Sequence, residues 1–89
     1  MSDIQKMAVA GTLESSDVYV ELSPNDSGIE IELDSVVKEQ FGDMILHTVE
    51  EVLGELDVRN AKLSIVDRGA LDCVIRARVE TAVLRGKGE

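Results

Sequence analysis

Val18, Val20 and Leu22 alternate with Tyr19 and Glu21, and after Pro24-Asn25-Asp26-Ser27-Gly28 the alternation resumes as Ile29, Ile31 and Leu33 against Glu30 and Glu32. A period of two marks a half-buried strand, and Pro, Asn, Asp and Gly supply turn geometry, so this stretch predicts a β-hairpin. An isolated hairpin is marginal in water and its apolar face needs a cover. The next segment supplies one. Val37, Phe41, Met44, Ile45, Val49, Val52, Leu53 and Leu56 recur at steps of three and four, which places them along one side of a helix that Ser35 is positioned to cap. Gly42 and Gly54 weaken that helix by about 1 kcal/mol each relative to alanine, and Gly54 marks fraying near its end.

Beyond Asp57 the period returns to two. Ala61, Leu63 and Ile65 alternate with Lys62 and Ser64, a third strand reached through a helix, as a parallel crossover requires. Asp67-Arg68-Gly69 reads as a turn, and Leu71, Val74, Ile75, Val79, Ala82 and Val83 form the apolar side of a second helix ending around Arg85-Gly86. Residues 7–12 add a short extra strand, which leaves Ser15 and Ser16 at a bend between extended segments. The expected fold is α+β: one small domain over residues 1–89, in β-β-α-β-α order, a mixed sheet with two helices packed on one face. Residues 1–6 and 86–89 are expected to be flexible.

Composition narrows the function. The chain has 89 residues and holds one small core but no deep cleft between domains. Tyr19 and Phe41 are its only aromatics, so the core must be aliphatic. A formal charge of −9 excludes nucleic acid and anionic membrane as partners, because phosphate binding needs a basic footprint. The charge is uneven: −7 over residues 1–34, −4 over 35–56 and +2 over 57–89, a distribution suited either to a solvated surface or to orientation on a basic partner. Cys73 is the only cysteine, which rules out an internal disulfide and fits a reducing, cytoplasmic setting. Neither a leader nor a membrane-spanning run is expected from the apolar pattern.

Catalytic side chains are scarce. His47 is the only histidine and falls at the edge of the first helix's apolar side, a boundary position rather than a triad base. One His, one Cys and scattered carboxylates give no metal spacing. Cys73, off the main stripe of the last helix, reads as a small packing residue with a partly exposed thiol as its alternative. Gly11, Gly28 and Gly69 stand singly and build no phosphate loop. What remains is Gly11-Thr12-Leu13-Glu14-Ser15-Ser16-Asp17, a hydroxyl pair beside carboxylates that local composition alone reads as an ordinary turn or strand lead-in, with an attachment site as the alternative.

Residues 8–18, Ala-Val-Ala-Gly-Thr-Leu-Glu-Ser-Ser-Asp-Val, resemble the N-terminal signature of the acyl carrier proteins of citrate lyase, its gamma subunit. Residues 66–78, Val-Asp-Arg-Gly-Ala-Leu-Asp-Cys-Val-Ile-Arg-Ala-Arg, resemble that family's second signature, and Val37-Lys38-Glu39-Gln40-Phe41-Gly42 a third, shorter one. The resemblance implies a non-catalytic carrier with 2'-(5''-phosphoribosyl)-3'-dephospho-coenzyme A joined to a serine through a phosphodiester. Ser15 occupies the matching position. The family often has glycine next and then aspartate; here Ser16 replaces the glycine and Asp17 is retained, so Ser16 is a lesser candidate. The resemblance further implies an alpha subunit (acyl transferase) and a beta subunit (citryl lyase) as partners, with a separate prosthetic-group transferase that loads the serine. On that reading Glu14 and Asp17 are expected to be recognition features for the transferase or the lyase subunits, and Arg76 and Arg78 to meet an acidic partner or an arm phosphate, with solvent-facing charge as the alternative. The family is distinct from helical carriers with phosphopantetheine on Asp-Ser-Leu, a motif that Asp34-Ser35-Val36 only approaches. A malonate decarboxylase carrier with the same kind of arm, and an unmodified interaction module, are the competing functions.

Overall fold

A computed structural model describes residues 3–88. Strand β1 spans Ala8–Gly11, β2 Val18–Ser23 and β3 Ile29–Ser35; helix α1 spans Lys38–Glu55, β4 Ala61–Asp67 and α2 Asp72–Gly86. The four strands form one sheet in the order β1-β2-β4-β3. β1 with β2 and β2 with β4 are antiparallel, and β3 with β4 is parallel. The result is the expected α+β domain with a mixed sheet, and the short first strand is part of it.

The expected β2–β3 hairpin does not form. β4 lies between those two strands, with Leu22 beside Leu63 on one side and Ile31 beside Leu63 on the other. Alternation fixes which face a strand buries but says nothing of its neighbour. The connection at residues 24–28 therefore spans two strand spacings, about 10 Å, rather than closing a tight hairpin. It is fastened to the start of β4: Gly28 N–H donates to Asn60 Oδ1 at 3.0 Å, and Ala61 N–H to the Gly28 carbonyl at 3.1 Å. The true hairpin is β1–β2, whose loop carries the two serines.

The helices cover one face of the sheet. Val18, Val20, Leu22, Leu63 and Ile65 from the strands meet Ile45, Val49 and Leu53 of α1 and Ile75, Val79 and Val83 of α2, and no aromatic takes part in this core. Gly86 lets the end of α2 lie against Leu22 and Ile4, where a Cβ would come within 2.8 and 3.0 Å of their side chains.

Several local expectations change. Phe41 and Met44, placed on the packing side of α1, are 47% and 58% exposed. The buried stripe runs through Gly42, Ile45, Thr48, Val49, Val52 and Leu53, and Phe41 and Met44 sit on its flank. Ser35 ends β3 instead of capping α1. Val37 holds the cap position, and Ser35 Oγ accepts the Val37 N–H at 3.1 Å while donating to Asp67 Oδ2 at 2.7 Å. Leu71 and Cys73 are exposed, because the buried side of α2 begins at Ile75. His47 is solvent-facing, 3.7 Å from Glu51.

The segment from Asp3 belongs to the fold. Ile4 is buried in the core, the amides of Gln5 and Lys6 donate to the Gly86 carbonyl, and the Asp3 carboxylate accepts the amides of Arg59 and Asn60. Those two amides draw the Asp3 carboxyl below its ordinary pKa. The flexibility expected for residues 1, 2 and 89 lies outside the described residues.

Candidate attachment site

Gly11 ends β1 with φ +92°, and a Cβ there would fall 1.8 Å from the Val18 carbonyl oxygen, so only glycine lets the chain leave the strand at this point. Residues 12–17 then form the hairpin loop. Asp17 N–H donates to the Glu14 carbonyl at 3.2 Å, closing a four-residue turn with Ser15 and Ser16 at its centre. Ser16 has φ +65°, a conformation that favours glycine at the third position of such a turn. The glycine implied by resemblance thus has a physical reason, and Ser16 takes the same backbone shape at a small steric cost.

The loop is braced from both ends. Thr12 Oγ1 donates to Asp17 Oδ2 at 2.6 Å and accepts the Glu14 N–H at 3.2 Å. Arg78, reaching across from α2, donates from Nε and Nη2 to the two Asp17 oxygens at 3.1 and 3.0 Å. The Val18 amide donates to Asp17 Oδ1 at 2.7 Å. Thr12, then Arg78, then the Val18 amide stabilise the ionised carboxylate and hold the Asp17 pKa down at about 2.

A second brace comes from the loop between β4 and α2. Ser16 N–H donates to the Arg68 carbonyl at 2.8 Å, and Arg68 N–H to the Asp17 carbonyl at 2.9 Å. That loop is itself organised by Asp67, which is buried and accepts Ser35 Oγ–H on one oxygen and the Ala70 N–H on the other, at 2.7 and 3.0 Å. Gly69 permits the bend with φ +87°. The three stretches that carried the family resemblance therefore meet at one end of the domain, where β3 and β4 finish and both helices begin. The Val37 and Phe41 stretch joins there through a groove of about 270 Å³ lined by Phe41, Met44, Ala70, Leu71 and Ile75 among others.

At the tip, Ser15 is exposed, and among the described residues no side chain or backbone group bonds its hydroxyl. Ser16 is also exposed but has its amide drawn to Arg68. Glu14 is exposed beside Ser15. Asp17 and Arg78 engage each other. Arg76 is occupied elsewhere, paired with Glu51 of α1 and Asp72 of its own helix, with Glu55 4.0 Å away. It ties the two helices together outside the core, close to where Thr48 Oγ1 donates to Asp72 at 2.6 Å.

Thr12, Asp67 and the Arg68 backbone escaped the sequence reading. Thr12 and Asp17 bracket the serines in the chain, which hinted at a local hydrogen bond, but nothing in the sequence sets residue 68 beside residue 16. Among the described residues no cluster of His, Cys, Asp and Glu could hold a metal ion, and no helix is long and apolar enough to cross a membrane. A short braced turn with an exposed hydroxyl is a shape that another protein's active site can reach and modify.

Residues 5–86 match the acyl carrier family model described as malonate decarboxylase delta subunit (MdcD). The chain is 54% identical over 86 residues to a citrate lyase acyl carrier protein of Haemophilus influenzae, covering 97% of this chain and 90% of the relative. It is 57% identical over 79 residues to one from Vibrio cholerae, covering 88% and 81%, and 47% identical over 87 residues to one from Latilactobacillus sakei, covering 98% and 86%. In fold it is similar to a chain in the crystal structure of a Pseudomonas malonate decarboxylase hetero-tetramer in complex with malonate. The TM-score is 0.80 at 24% identity, over 91% of this chain and 84% of that one.

Proposed function

Because the chain belongs to the citrate lyase acyl carrier protein family, we propose that it is the acyl carrier subunit of a cytoplasmic citrate lyase, loaded at Ser15. Proteins of this family are carriers and not catalysts. The group on Ser15 is 2'-(5''-phosphoribosyl)-3'-dephospho-coenzyme A, held through a phosphodiester. When bound, it supplies a terminal thiol on which acetyl and citryl groups are carried between an acyl transferase (alpha) subunit and a citryl lyase (beta) subunit.

The observation that carries this reading is the Ser15 turn itself. An unbonded hydroxyl at the tip of a braced loop fits a phosphodiester, since the new group meets no wall and displaces no hydrogen bond among the described residues. The chain's single histidine, His47, lies on α1 and is not part of the turn, which also fits: a separate prosthetic-group transferase can provide the base and metal. The chain's residues present and aim the arm. Thr12, Asp17 and Arg78 fix the turn against α2, the Arg68 backbone fixes it against the end of β4, and Ser15 is left exposed to a partner's active site. A tethered carrier raises the effective concentration of its cargo into the millimolar range at each site the tether spans. Glu14, on the exposed flank, is assigned to recognition by the transferase or the lyase subunits, while Asp17, Arg76 and Arg78 act on partners through the surface they hold in shape.

The test is the intact mass of the chain co-produced with its prosthetic-group transferase, followed by fragmentation of the tryptic peptide of residues 7–38. The expected result is the mass increment of the phosphoribosyl-dephospho-coenzyme A group on Ser15. An unmodified peptide, from a transferase active on another carrier, overturns the reading and leaves an interaction module without a covalent group. The family model bears the malonate decarboxylase name, so loaded chain is also assayed for acetyl/malonyl against acetyl/citryl exchange; the higher-identity relatives favour citryl.

A further inference from the structure

A group joined to Ser15 through phosphate adds a negative charge to the turn of a chain whose net charge is already −9. A cation that offsets it must lie near Ser15 and be free of other partners. Arg76 and Arg78, the arginines expected at an arm phosphate, fail that requirement: Arg76 is paired with Glu51 and Asp72, and Arg78 with Asp17. Arg85 and Lys87 donate to the carbonyls of Val9 and Leu56, and Arg59 lies 3.5 Å from Asp57. Lys6, Lys38, Lys62 and Arg68 are left without a side-chain partner among the described residues. Position separates these four. Lys62 is near the start of β4, about 20 Å back along the strand from its serine end, and Lys6 is bonded to Gly86 at the end of α2. Lys38 opens α1 at the serine end, but among the described residues no hydrogen bond ties it to the turn.

Arg68 is exposed and is held to the turn by its own backbone, its carbonyl accepting the Ser16 N–H at 2.8 Å and its N–H donating to the Asp17 carbonyl at 2.9 Å. Backbones paired in this way lie about 5 Å apart. That is less than the length of an extended arginine side chain, so a phosphate on Ser15 is within reach of the Arg68 guanidinium. The nearby carboxylates leave the guanidinium available. Asp17 already has both oxygens bonded by Thr12, Arg78 and the Val18 amide, and Asp67 is buried against Ser35 and Ala70. A guanidinium offers two parallel N–H donors that match two oxygens of one phosphate. An exposed hydroxyl with a free arginine mounted beside it therefore fits a phosphodiester. We propose that Arg68 binds the base of the arm, its guanidinium pairing with the phosphate on Ser15 and holding it against the β4–α2 loop. The proposal rests on the carrier reading for the presence of that phosphate.

The experiment uses the full chain, unloaded and loaded by its prosthetic-group transferase, with the increment on Ser15 checked by mass. Magnetic resonance then follows the Arg68 Nε–H in the parent, and the phosphorus resonance of the Ser15 phosphodiester in the parent, Arg68→Gln and Lys38→Gln. Loading is expected to shift the Arg68 Nε–H and to slow its exchange with water about threefold, the scale of an exposed ion pair. Both effects should shrink in about 1 M salt, where the screening length is about 3 Å. The phosphorus resonance should move in Arg68→Gln and stay in place in Lys38→Gln, which removes the same charge from the same end of the domain. Glutamine keeps both backbone bonds of residue 68, and an unmoved Ser16 amide in the unloaded variant checks that the turn is intact. An Arg68 Nε–H unchanged by loading overturns the proposal. So do equal phosphorus shifts in the two variants, which mark a general field and not a contact. The Nε–H reading needs no variant and decides even where Arg68→Gln loads slowly. A chain that takes no increment on Ser15 overturns the carrier reading and the Arg68 contact together, whereas a loaded chain with an unmoved Arg68 overturns the contact alone.

Discussion

Two loops of this domain both carry serine and aspartate in short connections between strands. Residues 12–17 contain Thr, Leu, Glu, two Ser and Asp, and residues 24–28 contain Pro, Asn, Asp, Ser and Gly. Both expose a serine, Ser15 in one and Ser27 in the other, and both adjoin a glycine with φ near +90°, Gly11 and Gly28. Their mountings differ. The first is held by a charge-assisted clamp from α2 and by two backbone bonds to the β4–α2 loop, and stands beside an apolar groove. The second is fastened by Asn25 and Asn60 around Gly28 and only carries the chain from β2 over β4 to β3. Turn composition thus reports that the chain bends; what the bend is for is set by the long-range groups that hold it.

The contrast is sharpest at the two serines. Ser15→Ala is expected to abolish loading by the prosthetic-group transferase, and Ser27→Ala to leave it complete, as read by intact mass. Loading that survives Ser15→Ala and is lost with Ser16→Ala moves the attachment by one residue; loading that needs Ser27 breaks the comparison.

The glycines give the next effect. Gly11→Ala drives a methyl into the Val18 carbonyl and should cost about 3 kcal/mol or more, seen as a lower denaturant midpoint. At Gly28 a Cβ meets nothing within 4 Å, so Gly28→Ala bears only the positive φ, at about 1 kcal/mol. Equal losses at both would show that the close approach of Gly11 to β2 is not a constraint on the hairpin.

Asp17→Asn weakens the Arg78 clamp and should cost about 1–2 kcal/mol, with slower loading of Ser15, whereas exposed Asp26→Asn should stay within about 0.5 kcal/mol. The same clamp has a pH signature. The folded-state pKa of Asp17 is depressed to about 2, below its ordinary value of 3.8, so its contribution is fully present above about pH 4 and fades as pH falls toward 2. Urea midpoints of parent and Asp17→Asn should therefore converge between pH 4 and 2, and a constant gap would show that the carboxylate charge is not what holds the loop.

The smallest effect has the opposite sign. Ser16→Gly removes the steric cost of φ +65° against a modest gain in chain entropy on unfolding, and should stabilise the domain by about 0.5 kcal/mol without reducing loading. A destabilised Ser16→Gly would mean that its side chain helps hold the turn.

Periodicity located the strands, both helices and the aliphatic core, because burial on one face leaves a period of two or 3.6 in the chain itself. The sequence also bounded the candidate site: a serine pair between Glu14 and Asp17, in a chain with a single histidine and a single cysteine, within residues that resemble a carrier signature. It paired β2 with β3 wrongly, since strand alternation is the same whichever neighbour lies alongside, and it placed Phe41 and Met44 in the core, since a helical stripe gives no sign of where its cover ends. Tertiary structure alone decided that β4 enters the middle of the sheet, that residue 68 reaches residue 16, that Arg78 closes on Asp17, and that an open groove is left beside Ser15. Each of these joins residues more than twenty positions apart. A local pattern records which way a side chain must face, and only the packed chain determines what it faces.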